Sequence, residues 1–308
     1  MLLVLGSINI DLTTYTGEIP KVGETVTGKA FQQFPGGKGA NQAVCAAKLG
    51  TKVCFLGKVG NDSYGEYLLK GMAESGIDIS HIEKSDISTG LAAINVDSSG
   101  RNSIIVVPGA NALIDKNYID RHIDVIKKCD IILAQHETPL EATEYAFKIA
   151  KSQNKITVLN PAPAASLSED IISCTDILVP NEHELSRITG QSCSSVEEIS
   201  GAAKVLAGQG IKCIIVTMGH EGVLLHHNGR KCIIPAYSVS AVDTTAAGDS
   251  FLGGFIDSYM KYGDIKEAII QGQMVASYSV QFKGAQSSMP SYEQFMEHKN
   301  KLLSSKII

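Results

Sequence analysis

Six short runs of almost unbroken apolar residues punctuate the chain: LLVL near its start, then KVCFLGKVG, DIILAQ, KITVLNP, DILVP and KCIIVTMG. A strand buried on one face alternates apolar with polar, whereas continuous runs fit strands covered on both faces. Between the runs, apolar residues recur three and four apart, which predicts helices over about 38–49, 63–75, 140–153, 196–209, 246–262 and 264–281. Strand and helix in alternation imply an α/β fold, a three-layer arrangement with a mostly parallel central sheet and helices on both faces. No repeat or low-complexity linker divides the chain, so a single α/β domain over 1–308 is expected.

Two stretches break this rhythm. TTYTGEIPKVGETVTGKAFQQF (13–34) and STGLAAINVDSSGRNSIIVV (88–107) are rich in Thr, Val and Ile, with Gly and Ser at turns. The second carries a hairpin signal at Ser98-Ser99-Gly100. They read either as strands of a small separate sheet, placed as a lid or an interface, or as two surface hairpins.

Composition narrows the classes. The 308 residues are 44% hydrophobic, enough for a large core. A formal net charge of -5 without a basic patch argues against a nucleic-acid partner. The opening MLLVLGSINID lacks a basic start and a cleavage site, so it reads as a first strand and not a signal peptide. No apolar run approaches the roughly 20 residues of a membrane span. Seven cysteines, an odd number with no C-x-x-C spacing, fit reduced thiols of a cytoplasmic protein better than a disulfide framework or a zinc site.

Four stretches could carry chemistry. In AVDTTAAGDSF (241–251), Thr244 or Thr245 would cap a helix whose first turn is Ala246, Ala247 and Gly248. Small side chains leave the first N–H groups uncovered, which makes an anion site. Asp249 lies in the same turn, where the helix dipole favours its ionised form; beside an anion hole it could take a proton from a hydroxyl. Acidic residues are also common in first turns for purely structural reasons. FPGGKGANQA (34–43) offers a second open helix start, with Lys38 and Asn41 for polar contacts, or simply a glycine turn packed for close approach. No Walker A motif occurs in the chain. In VPNEHEL (179–185), Asn181 and Glu184 stand three apart; the spacing fits a helix-capping pair better than a Mg²⁺ pair. TMGHEG (217–222) suits a nucleotide edge or a plain hairpin turn, and neither His-Glu pair has a second His at metalloprotease spacing.

Together these stretches resemble the ribokinase-like (PfkB) carbohydrate kinase family. GGKGANQA with Gly50 and Gly60 is similar to its first signature, and DTTAAGDSFLGGF to its second. GSINID, QHE, LNPAPA, PNEHE and KGAQSSMP follow family segments in order, so the likeness runs from residue 2 to 290. The resemblance implies an ATP-dependent kinase acting on the 5-hydroxyl of D-ribose, with Mg²⁺ and K⁺ as cofactors. Within the family another sugar or a nucleoside (deoxyribose, adenosine) is the alternative substrate, and a non-catalytic sugar-binding protein is the alternative class. By resemblance Asp249 is the general base, and the N–H groups of Ala246, Ala247 and Gly248 form the anion hole. Asn9, Asp11, Gly37, Lys38, Asn41 and Glu137, together with Asp249 itself, fall on sugar-binding positions. Asn181, Glu184, Thr217, Gly219, Gly222, Gly248 and Gln273 fall on nucleotide positions, with Glu184 tied indirectly to Mg²⁺. Asp243, Thr245, Ser279, Phe282, Gly284 and Ser288 match a monovalent-cation loop. The two irregular β stretches match a lid that pairs subunits into a homodimer. His136, Gln273 and Ser287 depart from the common family residues.

Overall fold

The apolar runs form the spine of a large sheet. The computed structural model describes residues 1–304; the last four residues of the expected domain lie outside the described residues. In chain order the strands are β1 (Leu2–Leu5), β2 (Asn9–Tyr15), β3 (Ala30–Gly36), β4 (Val53–Gly60), β5 (Ile82–Ser85), β6 (Gly90–Val96) and β7 (Asn102–Val107). They continue as β8 (Ile131–Gln135), β9 (Ile156–Asn160), β10 (Ile177–Leu178), β11 (Cys213–Thr217), β12 (Val223–His227) and β13 (Arg230–Ile234). Nine of them form one sheet among the described residues, in the order β13-β12-β11-β10-β9-β8-β1-β4-β5. From β5 to β11 neighbours run parallel; β12 and β13 add an antiparallel edge.

The continuous apolar runs have the expected cause. In β1, Leu2 and Val4 face one core, with Phe251, Phe255 and Ile256, while Leu3 and Leu5 face the other, with Ile119, Phe147 and Leu206. Each such side chain, fully buried, contributes ~1.5–3 kcal/mol. The six helices expected from spacing occur at Lys38–Lys48, Ser63–Glu74, Leu140–Ser152, Val196–Gly208, Ala247–Tyr262 and Ile265–Ser279.

The two irregular stretches contribute to a second sheet of four strands, in the order β3-β2-β6-β7. Its central pair, β2 and β6, runs parallel, and its outer pairs run antiparallel. The turn at Ser98–Gly100 is closed by Asp97, whose carboxylate accepts from the Ser99 and Arg101 N–H groups. One strand begins earlier than the composition suggested: β2 starts at Asn9, so the sugar-site candidates Asn9 and Asp11 lie on this second sheet.

One crossing sets the geometry of the site. The helices Lys38–Lys48 and Ala247–Tyr262 approach so closely that a Cβ on Gly253 would lie 2.4 Å from the Cβ of Cys45. Two helix N-termini are thereby fixed side by side.

Candidate active site

Both of these helix starts lack a side-chain cap, unlike the helices beginning at Ser63, Glu182, Val196 and Ile265. The expected cap from Thr244 or Thr245 is absent. Asp243 accepts from both the N–H (2.9 Å) and the hydroxyl (2.7 Å) of Thr245, so that hydroxyl is turned away from the helix. The helix starts at Ala247, one residue later than expected, behind Ala246 in the left-handed region at φ 57°. The N–H of Ala247 points back to the Thr244 carbonyl at 3.2 Å. The N–H groups of Ala246, Gly248 and Asp249 keep no protein acceptor among the described residues. A Cβ at Gly248 would meet nothing within 4 Å, so the mouth of the helix opens on free space.

Asp249 sits at that mouth, 7% exposed. Its Oδ2 accepts from Asn41 Nδ2 at 3.0 Å and its Oδ1 from Gln42 Nε2 at 2.9 Å. Burial raises the carboxyl above the ordinary Asp range, against the pull of Lys38 and of these two amides. The dipole expected to keep it ionised is therefore opposed by desolvation, which leaves a carboxylate with raised proton affinity.

Lys38 opens the neighbouring helix. Burial opposes its charge, but Asp249, Glu137, Glu184 and Asp11 outweigh burial and raise its pKa. One lysine thus stands among four carboxylates. Glu137 is tied to this helix start, its Oε2 accepting from Lys38 N–H at 3.0 Å and from Ser7 Oγ at 2.6 Å. Gly37 takes φ 89°, and a Cβ there would lie 2.8 Å from Asn9 N and Ser7 O, so glycine alone fits. On β2, burial pushes the Asp11 carboxyl up to about 7, with Glu137 adding to the rise. Asn9 is buried and its Oδ1 accepts from Asn111 Nδ2 at 2.8 Å, which leaves its own Nδ2 to donate.

The structure joins Asn181 and Glu184 in a full capping box. Asn181 Oδ1 accepts from Glu184 N–H at 2.8 Å, and Glu184 Oε2 accepts from Asn181 N–H at 2.9 Å. The capping expectation holds, and Glu184 is still half buried near Lys38 and Asp249, which act on its charge; burial raises its pKa. The Thr217–Gly222 turn is a hairpin turn between β11 and β12, closed by Met218 N–H to Gly222 O at 2.8 Å, with Gly219 at φ 54° and Gly222 at φ 103°. Gln273 reaches the same place, since its Nε2 donates to Ile234 O at 3.0 Å, the atom a Cβ on Gly222 would approach to 2.2 Å.

Of the cation-loop candidates, Asp243, Thr245 and Gly284 are brought together: Gly284 N–H donates to Asp243 Oδ2 at 2.9 Å. The N–H groups of Val242 and Asp243 donate to Val280 O, which seats this segment beside Ser279 and Phe282. Ser279 and Ser288 donate their hydroxyls to the carbonyls of Ala276 and Ala285, which holds both side chains against their own turns. Phe282 is half exposed. Ser287 donates to Lys283 O at 3.1 Å. Burial lowers the pKa of the His136 ring, and its Nδ1 finds no partner among the described residues.

Reading the sequence missed a set of amides around Asp249: the buried Gln42, Gln135 and Asn160, and the half-buried Gln286. Each lies inside a quoted motif, yet nothing in the spacing marks them, because they come from four separate elements.

A sequence profile of the pfkB family carbohydrate kinases matches residues 1–292. A ribokinase of Haemophilus influenzae is 42% identical over 301 residues, 96% of this chain and 98% of the relative. A deoxyribokinase of Salmonella typhi is 41% identical over 297 residues, 96% of this chain and 97% of the relative. The solved structure of an Arabidopsis thaliana ribokinase complexed with ribose and ATP matches with a TM-score of 0.92 at 32% identity, covering 96% of this chain and 97% of that one.

Proposed function

The chain belongs to the pfkB family of carbohydrate kinases, and from that membership we propose that it transfers the γ-phosphoryl group of ATP to the 5-hydroxyl of D-ribose. The observation that carries this is Asp249, a buried carboxylate gripped by two amides at a helix mouth where the N–H groups of Ala246, Gly248 and Asp249 keep no acceptor among the described residues. Asp249 takes the proton of the 5-hydroxyl as that oxygen bonds to the γ-phosphorus. The bond to the β-phosphate oxygen breaks and ADP leaves. The N–H groups of Gly248 and Asp249, with Ala246 and Ala247 beside them, face the charge on the moving group.

The sugar is held by Asn9, Asp11, Gly37, Lys38, Asn41 and Glu137, and the nucleotide lies along Asn181, Thr217, Gly219, Gly222 and Gln273. A site with four carboxylates and one lysine cannot take a polyphosphate without added positive charge. Mg²⁺ supplies it when bound, and Glu184 has lone pairs left to hold a metal-bound water. K⁺ would sit on main-chain oxygens of the segments around Asp243 and Gly284. The whole chain, 1–308, acts as one kinase domain with the four-stranded sheet as its lid. Seven free thiols, mostly buried, support a reducing, cytoplasmic setting, which recovery of the chain from an oxidising compartment would contradict.

Overall identity to the ribokinase and the deoxyribokinase above is nearly equal, so the choice of sugar rests on particular residues. Asn9 presents a donor and Asp11 an acceptor, a pair that satisfies the 2-hydroxyl of ribose. A 2-deoxy sugar leaves them unpaired at ~1–3 kcal/mol, or about ten- to a hundredfold in kcat/KM. Coupled ADP release with ribose, 2-deoxyribose and adenosine should rank ribose first, and Asn9→Met should shrink the margin over deoxyribose. Equal kcat/KM for the two pentoses, or an unchanged ratio in Asn9→Met, would overturn the assignment. In the same assay EDTA should stop turnover and Na⁺ in place of K⁺ should slow it; rates unmoved by either would remove the ion assignments.

A further inference from the structure

The amides around Asp249 form a chain in which neighbours fix the orientations of Gln42 and Asn160, while Gln135 Oε1 has no hydrogen-bond partner among the described residues. Gln42 is fully buried; its Nε2 donates to Asp249 Oδ1 at 2.9 Å and to Asn160 Oδ1 at 3.0 Å. Its Oε1 accepts from Gln135 Nε2 at 2.7 Å. Asn160 cannot turn over, because its Nδ2 donates to Val179 O at 2.8 Å. Gln135, also fully buried, ends β8, and its Oε1 lies where a Cβ on Gly6 would come within 2.4 Å. A flipped Gln42 amide would set its oxygen against the oxygens of Asp249 and Asn160, and its NH₂ against that of Gln135. Buried like-for-like contacts of this kind leave every group unpaired.

We propose that Gln42, locked by Gln135 and Asn160, is the positioning residue that aims the Asp249 carboxylate at the sugar hydroxyl. The inference rests on Asp249 being the base. A carboxylate has about four acceptor positions. Gln42 occupies one on Oδ1 and Asn41 one on Oδ2, which fixes the plane of the group and leaves the remaining lone pairs for the incoming proton. The Gln42 clamp runs from the central sheet through β8 and β9. Asn41, by contrast, is steadied from the cation loop, since Gln286 Nε2 donates to Asn41 Oδ1 at 3.1 Å. Donation to the ionised form also favours the carboxylate, against the burial that opposes it.

The test compares Gln42→Leu, Gln135→Leu, the double variant and Asp249→Asn, each with thermal unfolding and nucleotide binding measured on the same preparation. Misplacing a catalytic group by an ångström costs on the order of a hundredfold. Gln42→Leu should therefore lose about that much in kcat with KM for both substrates nearly unchanged. Its acid limb should move to higher pH, while Lys38, Glu137, Asp11 and Glu184, the charged groups acting on the site, are untouched. Gln135→Leu removes the donor that holds Gln42 Oε1, so it loosens the clamp without touching Asp249 and should lose about tenfold in kcat, with the same sign of pH shift. The double variant should be no worse than Gln42→Leu, because both act through one contact. Wild-type kcat and pH limb in Gln42→Leu, or losses that multiply in the double variant, would overturn the proposal. Should Gln42→Leu fail to fold, Gln135→Leu decides by the same readouts. An active Asp249→Asn would instead sink the base assignment, so the two failures are distinct.

Discussion

Asp11 is where burial and ligand chemistry meet in one residue. Its carboxyl rises from an ordinary 3.8 to about 7, with desolvation the leading cause. The sign follows from linkage. Between those values the folded chain binds a proton that the unfolded chain has released, so Asp11 erodes stability as pH rises through this window. With Asp11 in its proposed place against the sugar, hydroxyls donate to the ionised form, so ribose binding should expel that proton. Ribose affinity should then weaken by up to about tenfold for each pH unit below the raised value and level off above it. Titration calorimetry should show proton release on ribose binding below pH 7, fading above it and absent in Asp11→Asn. A flat affinity in the wild type, or the same slope in Asp11→Asn, would contradict this. A rise of this kind was not legible in the sequence, because it depends first on burial in the folded chain and then on Glu137 and Asp249 arriving from distant elements.

At the scale of elements, two glycines of one helix separate packing from chemistry. Gly253 touches Cys45, so Gly253→Ala forces the helices apart at a cost of ~1–3 kcal/mol. Gly248 faces open space, and Ala is the better helix former by ~1 kcal/mol. Gly248→Ala should melt no lower than wild type yet lose about tenfold or more in kcat, as its methyl narrows the anion hole. A melt well below wild type, or unchanged kcat, would show that the glycine is kept for packing. Long helices with a clear apolar stripe, such as Ala247–Tyr262, could be read from spacing to within a residue or two. The β12–β13 hairpin could not, although a signal was present: Asn228-Gly229, at φ 49° and 75°, is the pair that a tight hairpin turn prefers. Short helices such as Glu182–Thr189 carry too few turns for periodicity to stand out. The cap of the active-site helix was misread because Asp243, two residues upstream, competes for Thr245.

The molecule as a whole leaves one face unfinished. β7 is an edge strand of the lid, and Ile104, Ile105, Val106 and Val107 are all exposed along it, Ile105 by 68%. Phe31 is exposed on β3, at the other edge. An apolar edge of this kind invites pairing, and a second copy of the lid offers a matching surface. Sedimentation at micromolar concentration should give a species of about twice 32.8 kDa, and Ile105→Glu should shift it toward the monomer. A wild-type species at 32.8 kDa would remove the dimer. In the proposed function the main sheet, the four-stranded sheet and the two open helix starts serve one transfer, and that transfer can be observed directly. Wild type and Asp249→Asn are incubated side by side with ATP, Mg²⁺ and ribose, and the products are followed by phosphorus NMR. Wild type should form ADP and ribose 5-phosphate in equal amounts, and Asp249→Asn should bind ribose normally while turning over about 10²–10⁴-fold more slowly. ADP formed without ribose 5-phosphate, or an Asp249→Asn variant as fast as wild type, would contradict the reading of this protein as a ribose kinase with Asp249 as its base.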